Sequence, residues 1–358
     1  MDLDRLLTRA IEIQSIPAPT FNESKRAHFL KHAFENANLK NIELDSVGNL
    51  YGLIPGSSNR PIIVSAHLDT VFPEDTPLDS HRDGNRIFGP GIGDNSLALA
   101  ALVELALDLS SEKLERDIWL IANVCEEGLG NIRGMQEVVN RFQDQPRAYI
   151  VLEGMALGNI YHKGLRVKRY RITVETAGGH AWVHAGEPSA IHTLFRLGSE
   201  IIDTDLPIDR RTTLNVGIIA GGTSINTIAN QASIELDLRS EGDAQLDTLD
   251  RAIKNLCHDY NKDEIKVKIT MIGERPGGSL PVDDPLIEAA RNALKTAGVP
   301  DVQLGIGSTD ANAPLSRGYP AICIGLTRGD GAHTPNEYIE ISPIEKGYTA
   351  LTNLILSL

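Results

Sequence analysis

The sequence predicts an α/β protein whose mixed, largely parallel central sheet is flanked by helices and interrupted by an inserted ferredoxin-like βαββαβ unit. Three observations carry this. Apolar runs at 61–66, 118–124, 148–152 and 321–326 alternate with stretches of helical spacing, the order of parallel strands joined by helical crossovers. From residue 166 onward apolar and polar residues instead alternate one by one, the mark of a sheet with a single buried face. A glycine-bounded stretch at 154–164 precedes that block and a glycine- and proline-rich one at 273–278 follows it.

Residues 2–13 place Leu3, Leu6, Leu7 and Ile11 at helical spacing and stop before Pro17 and Pro19, and 22–36 do the same with Phe29, Leu30 and Phe34. Short strands are expected at 42–44 and 49–54, joined at Val47-Gly48. Gly56-Ser57-Ser58-Asn59 then turns the chain into the run that ends at His67. A glycine-hinged loop, Gly91-Ile92-Gly93-Asp94-Asn95, precedes a helix at 96–109, and another helix follows at 131–143. In the inserted block, strands at 166–174, 213–220, 232–239 and 266–272 and helices at 188–202 and 244–260 give the order βαββαβ. The first style then resumes, with a helix at 285–297, a loop at 305–310, the strand at 321–326 and a closing helix at 343–356. The expected division is 1–164 with 275–358 as one discontinuous domain, and 165–274 inserted into it.

The 358 residues are 41% hydrophobic and 23% charged, ordinary usage for a globular chain of two domains. A net charge of −14 without any basic cluster argues against nucleic acid or an anionic membrane as partner. Met1-Asp2-Leu3-Asp4-Arg5 lacks the basic start of a signal peptide, and no apolar stretch approaches ~20 residues, so a cytoplasmic protein is expected. Cys125, Cys257 and Cys323 are widely spaced and suit reduced thiols, two of them (Cys125 and Cys323) in the core. His28 and His32, four apart without a third ligand nearby, read as a surface pair.

The chemistry lies where the apolar runs stop. One ends in Cys125-Glu126-Glu127-Gly128, one in His67-Leu68-Asp69, one in Glu153-Gly154, and one leads through a glycine-rich loop to His333. Parallel strands bring such ends to one edge, where α/β proteins bind ligands. With Asp94, this gives two imidazoles and three carboxylates, a donor set for divalent transition metal. Five candidates exceed the need of one catalytic ion and suit two ions about 3.5–4 Å apart that share a carboxylate. Asp94, alone on its loop, is the natural bridge, with His67 and Glu153 on one ion and Glu127 and His333 on the other. Asp69, two residues beyond His67, is expected to fix the imidazole tautomer. Glu126 adjoins a ligand without being needed as one, so it can take a proton from water and pass it to a leaving amine; the alternative is a surface carboxylate.

These segments resemble the M20 family of co-catalytic zinc peptidases and deacylases, which includes glutamate carboxypeptidases, succinyl-diaminopimelate desuccinylase, aminoacylases and peptidase T-like tripeptide aminopeptidases. The resemblance rests on Ala66-His67-Leu68-Asp69-Thr70-Val71, Gly91-Ile92-Gly93-Asp94-Asn95, Cys125-Glu126-Glu127-Gly128, Leu152-Glu153-Gly154 and Gly331-Ala332-His333-Thr334-Pro335-Asn336-Glu337, which stand in the family's order. It implies a zinc-peptidase-like catalytic domain holding two zinc ions, or cobalt or manganese in their place, and an inserted lid that commonly mediates homodimerisation. It further implies that His180, in Gly178-Gly179-His180-Ala181, supports the oxyanion from this subunit or its partner, and that Asn226 and Arg239 hold a substrate carboxylate. Gly307, Ser308 and Asp310 match a loop beside the substrate. Without the resemblance, His180 reads as a loop histidine, Asn226 and Arg239 as polar groups at strand ends, and Asp310 as a helix cap. His184 and His192 receive no role.

The implied activity is hydrolysis of the amide bond of a small peptide or N-acyl amino acid. Glu153 in place of Asp resembles the carboxypeptidase and deacylase branches, while the Gly-Asp-Asn and Ser-Thr-Asp-Ala-Asn segments resemble peptidase T-like aminopeptidases, the principal alternative. Asn95-Ser96 departs from the pattern of many relatives. A non-catalytic metal-dependent binding protein is the alternative of another class, and the presence of Glu126 weighs against it. A nucleotide-binding role is weaker still, because Gly91-Ile92-Gly93-Asp94 lacks the third glycine of the phosphate-binding fingerprint.

Overall fold

The computed structural model describes residues 1–57 and 60–358, so the expected turn at 56–59 lies partly outside the described residues, at Ser58 and Asn59. The chain forms two compact units, Met1–Gly164 with Gly278–Leu358, and Leu165–Gly277.

The first part of unit 1 contains helices α1 (Leu3–Gln14) and α2 (Ser24–Asn36), then strands β1 (Lys40–Leu44), β2 (Leu50–Ile54), β3 (Ile62–His67), β4 (His81–Asp83) and β5 (Arg86–Phe88). It continues with α3 (Leu97–Leu109), β6 (Ile118–Asn123), α4 (Arg133–Phe142), β7 (Ala148–Glu153) and β8 (Asn159–Gly164). Unit 2 holds β9 (Arg166–Glu175), β10 (Gly179–His180), α5 (Ala190–Ile202), β11 (Thr212–Gly221), β12 (Thr227–Ile228), β13 (Gln231–Ser240), α6 (Asp243–Asp259) and β14 (Lys266–Arg275). Unit 1 then resumes with β15 (Gly278–Ser279), α7 (Pro285–Thr296), β16 (Gln303–Gly307), α8 (Asn312–Leu315), β17 (Ala321–Gly325), β18 (Gly329–Asp330), β19 (Tyr338–Glu340) and α9 (Ile344–Ser357).

The central sheet runs β1-β2-β6-β3-β7-β17-β8-β15, with β16 also on β8. Within it β6, β3, β7 and β17 are parallel neighbours, and β3, the first of them in sequence, lies between β6 and β7. The chain leaves β3 through α3 for β6 on one side, then passes through α4 to β7 on the other. That reversal opens a crevice at the carboxyl ends of the strands. Every residue of β3 is buried, and so is all of α3 except Leu107 and Asp108, which explains why neither segment alternates: each is covered all round.

Unit 2 pairs β11-β13-β9-β14 antiparallel throughout, the strand order of a ferredoxin-like βαββαβ sheet. Tyr170, Ile172 and Val174 of β9 and Ile234, Leu236 and Leu238 of β13 face α5 and α6 and form a core of their own with Leu194, Leu197, Leu249 and Ile253.

Three expectations are corrected. The glycine-bounded stretch at 154–164 contains β8, an interior strand that pairs parallel with β16 and antiparallel with β17. Residues 273–275 complete β14 and Gly278-Ser279 joins the central sheet, so little of the expected hinge is irregular. Residues 305–307 likewise finish β16, where a Cβ on Gly305 or Gly307 would press on the Tyr161 ring. Glycines read as loop in all three places, yet here they serve close packing. A small antiparallel sheet, β18-β19-β5-β4, has strands of only two or three residues, too short for any periodicity to announce. Among the described residues no helix is long and apolar enough to cross a membrane. All three cysteines are free and buried.

Candidate metal centre

His67 is the last residue of β3 and is 2% exposed. Its Nδ1 donates to the Asp69 backbone carbonyl at 3.0 Å, which leaves Nε2 pointing at Asp94 Oδ1 (3.1 Å) and Glu153 Oε2 (3.7 Å). On the far side of Asp94, Oδ2 lies 3.0 Å from His333 Nε2, which is 3.2 Å from Glu127 Oε1. The two oxygens of one carboxylate thus face two different imidazoles, each with a further carboxylate beside it. Ligand atoms of His67, Asp94 and Glu127 all lie within 4.8 Å of one another. Cations with bonds of about 2.0–2.2 Å to nitrogen and oxygen can span such separations, and the donor set contains no thiol, so the residues present fit two divalent ions.

The electrostatics are those of a cation site. Burial works against an ionised Asp94, but hydrogen bonds from His333 and His67 hold its carboxyl well below the usual range. Burial pushes Glu127 up to about 7, helped by the Asp94 charge, and Glu153 also up to about 7 against the pull of His67. Hydrogen bonds to Asp94 and Glu127 raise His333 to about 10. A cation bound among these groups would favour their unprotonated forms.

Backbone clasps assemble these side chains. Asp69 was expected to orient His67, and it stands against the ring with both groups: its backbone carbonyl accepts from Nδ1 at 3.0 Å and its carboxylate Oδ1 lies 3.6 Å from the same nitrogen. Its side chain accepts the N–H of Glu126 at 2.9 Å and of Glu127 at 2.8 Å, together with the Thr20 hydroxyl at 2.9 Å. It therefore ties the β3 end to the loop that follows β6. Glu337, fully buried, accepts the N–H groups of Gly91 (2.9 Å), Gly93 (2.7 Å) and Asp94 (2.8 Å) and so grips the loop that carries Asp94. Asn95 donates to the Leu152 carbonyl at 2.9 Å and accepts the Gly154 N–H at 3.0 Å, holding that loop to the end of β7. A Cβ on Gly154 would run into the Gly93 carbonyl oxygen, so the close approach of Asp94 to Glu153 depends on glycine there.

Glu337 and Asn95 lie in matched segments but received no role from the sequence, because neither their burial nor their distant backbone partners leave a local mark. Asn123, which closes β6, donates to Asp310 Oδ2 at 2.7 Å and was also missed. Asp310 is fully buried and does not cap α8; burial first, then the Glu126 charge, raises its carboxyl well above the ordinary value. Gly307 and Ser308 are half-buried at the end of β16, and Glu126 is 6% exposed.

In unit 2, pairing of β10 with β12 sets His180 opposite Thr227, and the Ala181 N–H donates to the Asn226 carbonyl at 3.0 Å. His180 and Asn226 are therefore neighbours. Arg239 does not join them: it lies eight residues along β13 from Gln231, roughly 26 Å away at strand rise, and its guanidinium is engaged by Asp237. His28 bonds the Ser24 carbonyl and His32 meets Glu35, both exposed, as a surface pair should.

A family model described as peptidase family M20/M25/M40 matches residues 63–357. The chain is 29% identical over 364 residues to a peptidase M20 domain-containing protein of Schizosaccharomyces pombe, covering 97% of this chain and 82% of that protein. It is 25% identical over 347 residues to the succinyl-diaminopimelate desuccinylase of Corynebacterium glutamicum, covering 92% and 90% respectively. In fold it is similar to a tripeptidase of Staphylococcus aureus, with a TM-score of 0.82 at 20% identity over 100% of this chain and 98% of that one.

Proposed function

Because the chain belongs to peptidase family M20/M25/M40, we propose that it hydrolyses the amide bond of a small peptide or N-acyl amino acid at a pair of divalent cations. His67 and Glu153 would hold one ion, His333 and Glu127 the other, and Asp94 both. The observation that carries this is the placing of each Asp94 oxygen against a different imidazole, at 3.1 and 3.0 Å. Zinc is the expected ion, although cobalt or manganese suits the same donors. When bound, such ions polarise an amide carbonyl and lower the pKa of water.

The protein's own residues do the rest. Glu126 takes a proton from water and delivers it to the departing amine, its backbone pinned by Asp69. His180 offers an N–H suited to a developing oxyanion, and Asn226 an amide suited to a substrate carboxylate. Gly307, Ser308 and Asp310 shape the wall on the Glu126 side, where Asp310 feels the Glu126 charge. Arg239 keeps a place in substrate binding only if it leaves Asp237.

Metal content by mass spectrometry, with hydrolysis of a library of dipeptides and N-acetyl amino acids before and after chelation, tests this reading. Two ions per chain and chelation-sensitive hydrolysis are expected; hydrolysis that survives complete removal of metal would sink it. Comparing free and amidated C-termini on one dipeptide separates a carboxypeptidase or deacylase, which discriminates, from an aminopeptidase, which does not.

Self-association through unit 2 is part of the same reading. β11 is an edge strand, and Ile218 and Ile219 on it are 57% and 59% exposed, an apolar edge open to pairing with a second copy. Sedimentation at micromolar concentration should give a dimer that Ile218→Lys dissociates, whereas a monomer in the unaltered protein excludes it.

A further inference from the structure

We propose that His184 is a positioning residue: it closes a turn that fixes the His180 imidazole with Nε2–H as its donor. This rests on the reading of His180 as a donor to an oxyanion, and adds how the donor is set before substrate arrives.

His180 and His184 are bonded to each other twice. The His184 backbone N–H donates to the His180 carbonyl at 2.9 Å, and the His180 N–H donates to His184 Nδ1 at 2.9 Å. The His184 ring also lies over Gly179, where a Cβ would sit 2.8 Å from Nδ1, so the residue before His180 must lack a side chain for the ring to reach. Inside the turn, the N–H groups of Trp182 and Val183 donate to His180 Nδ1 at 3.2 and 3.3 Å. A ring nitrogen that accepts hydrogen bonds does not carry the proton of a neutral imidazole, so the proton sits on Nε2.

Burial does not hold this turn. Trp182 is 86% and Val183 69% exposed, and residues 180–187 are all exposed. In so exposed a turn, the bond that His184 Nδ1 accepts from the His180 N–H restrains the His180 backbone together with the backbone bonds of the turn and the short β10–β12 pairing. Preset donors stabilise an oxyanion because no reorganisation is needed at the moment of reaction.

The test uses full-length protein loaded with zinc, its histidines labelled with 15N, and the variants His184→Ala, His184→Asn and His180→Ala. Asn can place its amide oxygen near the position of Nδ1 and accept the same N–H. Imidazole 15N spectra should show a fixed Nε2–H tautomer for His180 in the unaltered protein and in His184→Asn, and averaged tautomers in His184→Ala. His184→Ala should lower kcat about tenfold or more with KM little changed, and His184→Asn should restore it. His180→Ala should lower kcat about 10²-fold. A fixed tautomer and full kcat in His184→Ala overturn the proposal, as does a mobile tautomer in the unaltered protein. Full kcat in His180→Ala removes the oxyanion reading instead, and the spectra alone then decide whether His184 holds His180. If His184→Ala does not fold, a mobile His180 tautomer in folded His184→Asn overturns it.

Discussion

The Asp69 carboxylate accepts the Glu127 backbone N–H at 2.8 Å, and its other oxygen accepts that of Glu126 at 2.9 Å. One side chain at the end of β3 therefore fixes two acids that follow β6, one a candidate ligand and the other the candidate proton carrier. Asp69→Asn turns an acceptor oxygen into an NH2 group facing an N–H. We predict a kcat loss of about 10²-fold from misplacement of Glu126 and a stability loss of about 1–3 kcal/mol from the broken buried bond. Kinetics and denaturant titration of the metal-loaded variant measure both, and an unchanged kcat would count against the clasp.

Glu337 should govern how well the bridging loop binds metal. Glu337→Gln keeps the shape but cannot accept all three N–H groups of Gly91, Gly93 and Asp94. Supporting residues of this kind are typically worth about 10–100-fold in metal affinity. Competition against a coloured chelator should show weakening in that range for at least one ion, while unaltered affinity for both would dismiss the role.

Glu126→Gln separates binding from turnover. The amide cannot carry the proton, so kcat should fall by about 10²–10⁴-fold while both ions stay bound. Turnover at the unaltered rate in a fully loaded variant would show that another group moves the proton.

A pH dependence of stability follows from Asp250 in unit 2. Burial raises its pKa, but hydrogen bonds from Lys168 (2.6 Å), Tyr170 (2.7 Å) and Lys254 (3.0 Å) outweigh that and lower it. A carboxyl whose folded pKa is depressed contributes stability that is present above its unfolded value of about 3.9 and lost as pH falls through the folded value. Lys168 is raised, so its share persists below about 10.4 and fades as pH climbs through the folded value. Asp250→Asn should therefore cost about 2 kcal/mol at pH 7, with the difference from the unaltered protein shrinking below about pH 3.9. Denaturant midpoints at pH 7 and pH 3 read it out, and an equal difference at both would contradict the assignment.

Much of this was legible from residues alone, because strands covered on both faces must be apolar along their whole length. The stops at His67, Glu127 and Glu153 were therefore conspicuous. What escaped notice has a physical reason too: β8 follows Gly158, which takes a positive φ, and ends in Gly164, which packs against Asn312, and the β5 and β19 segments are too short to show a period. Glu337 looked like one more acid after His333, since nothing local reveals that its partners are backbone amides more than 240 positions earlier.

By itself the sequence determined the kinds of group available and the strand ends that carry them, since polarity and periodicity are local properties. Only tertiary structure decided which atoms meet. Parallel alignment of β6, β3, β7 and β17 puts four chain exits on one edge, and the loop clasped by Glu337 then turns a single Asp94 toward both imidazoles. The same folding gave the Asp69 carboxylate two backbone N–H groups beside the His67 ring and parted Arg239 from Asn226, because spacing along the chain does not say which strand ends and loops will meet.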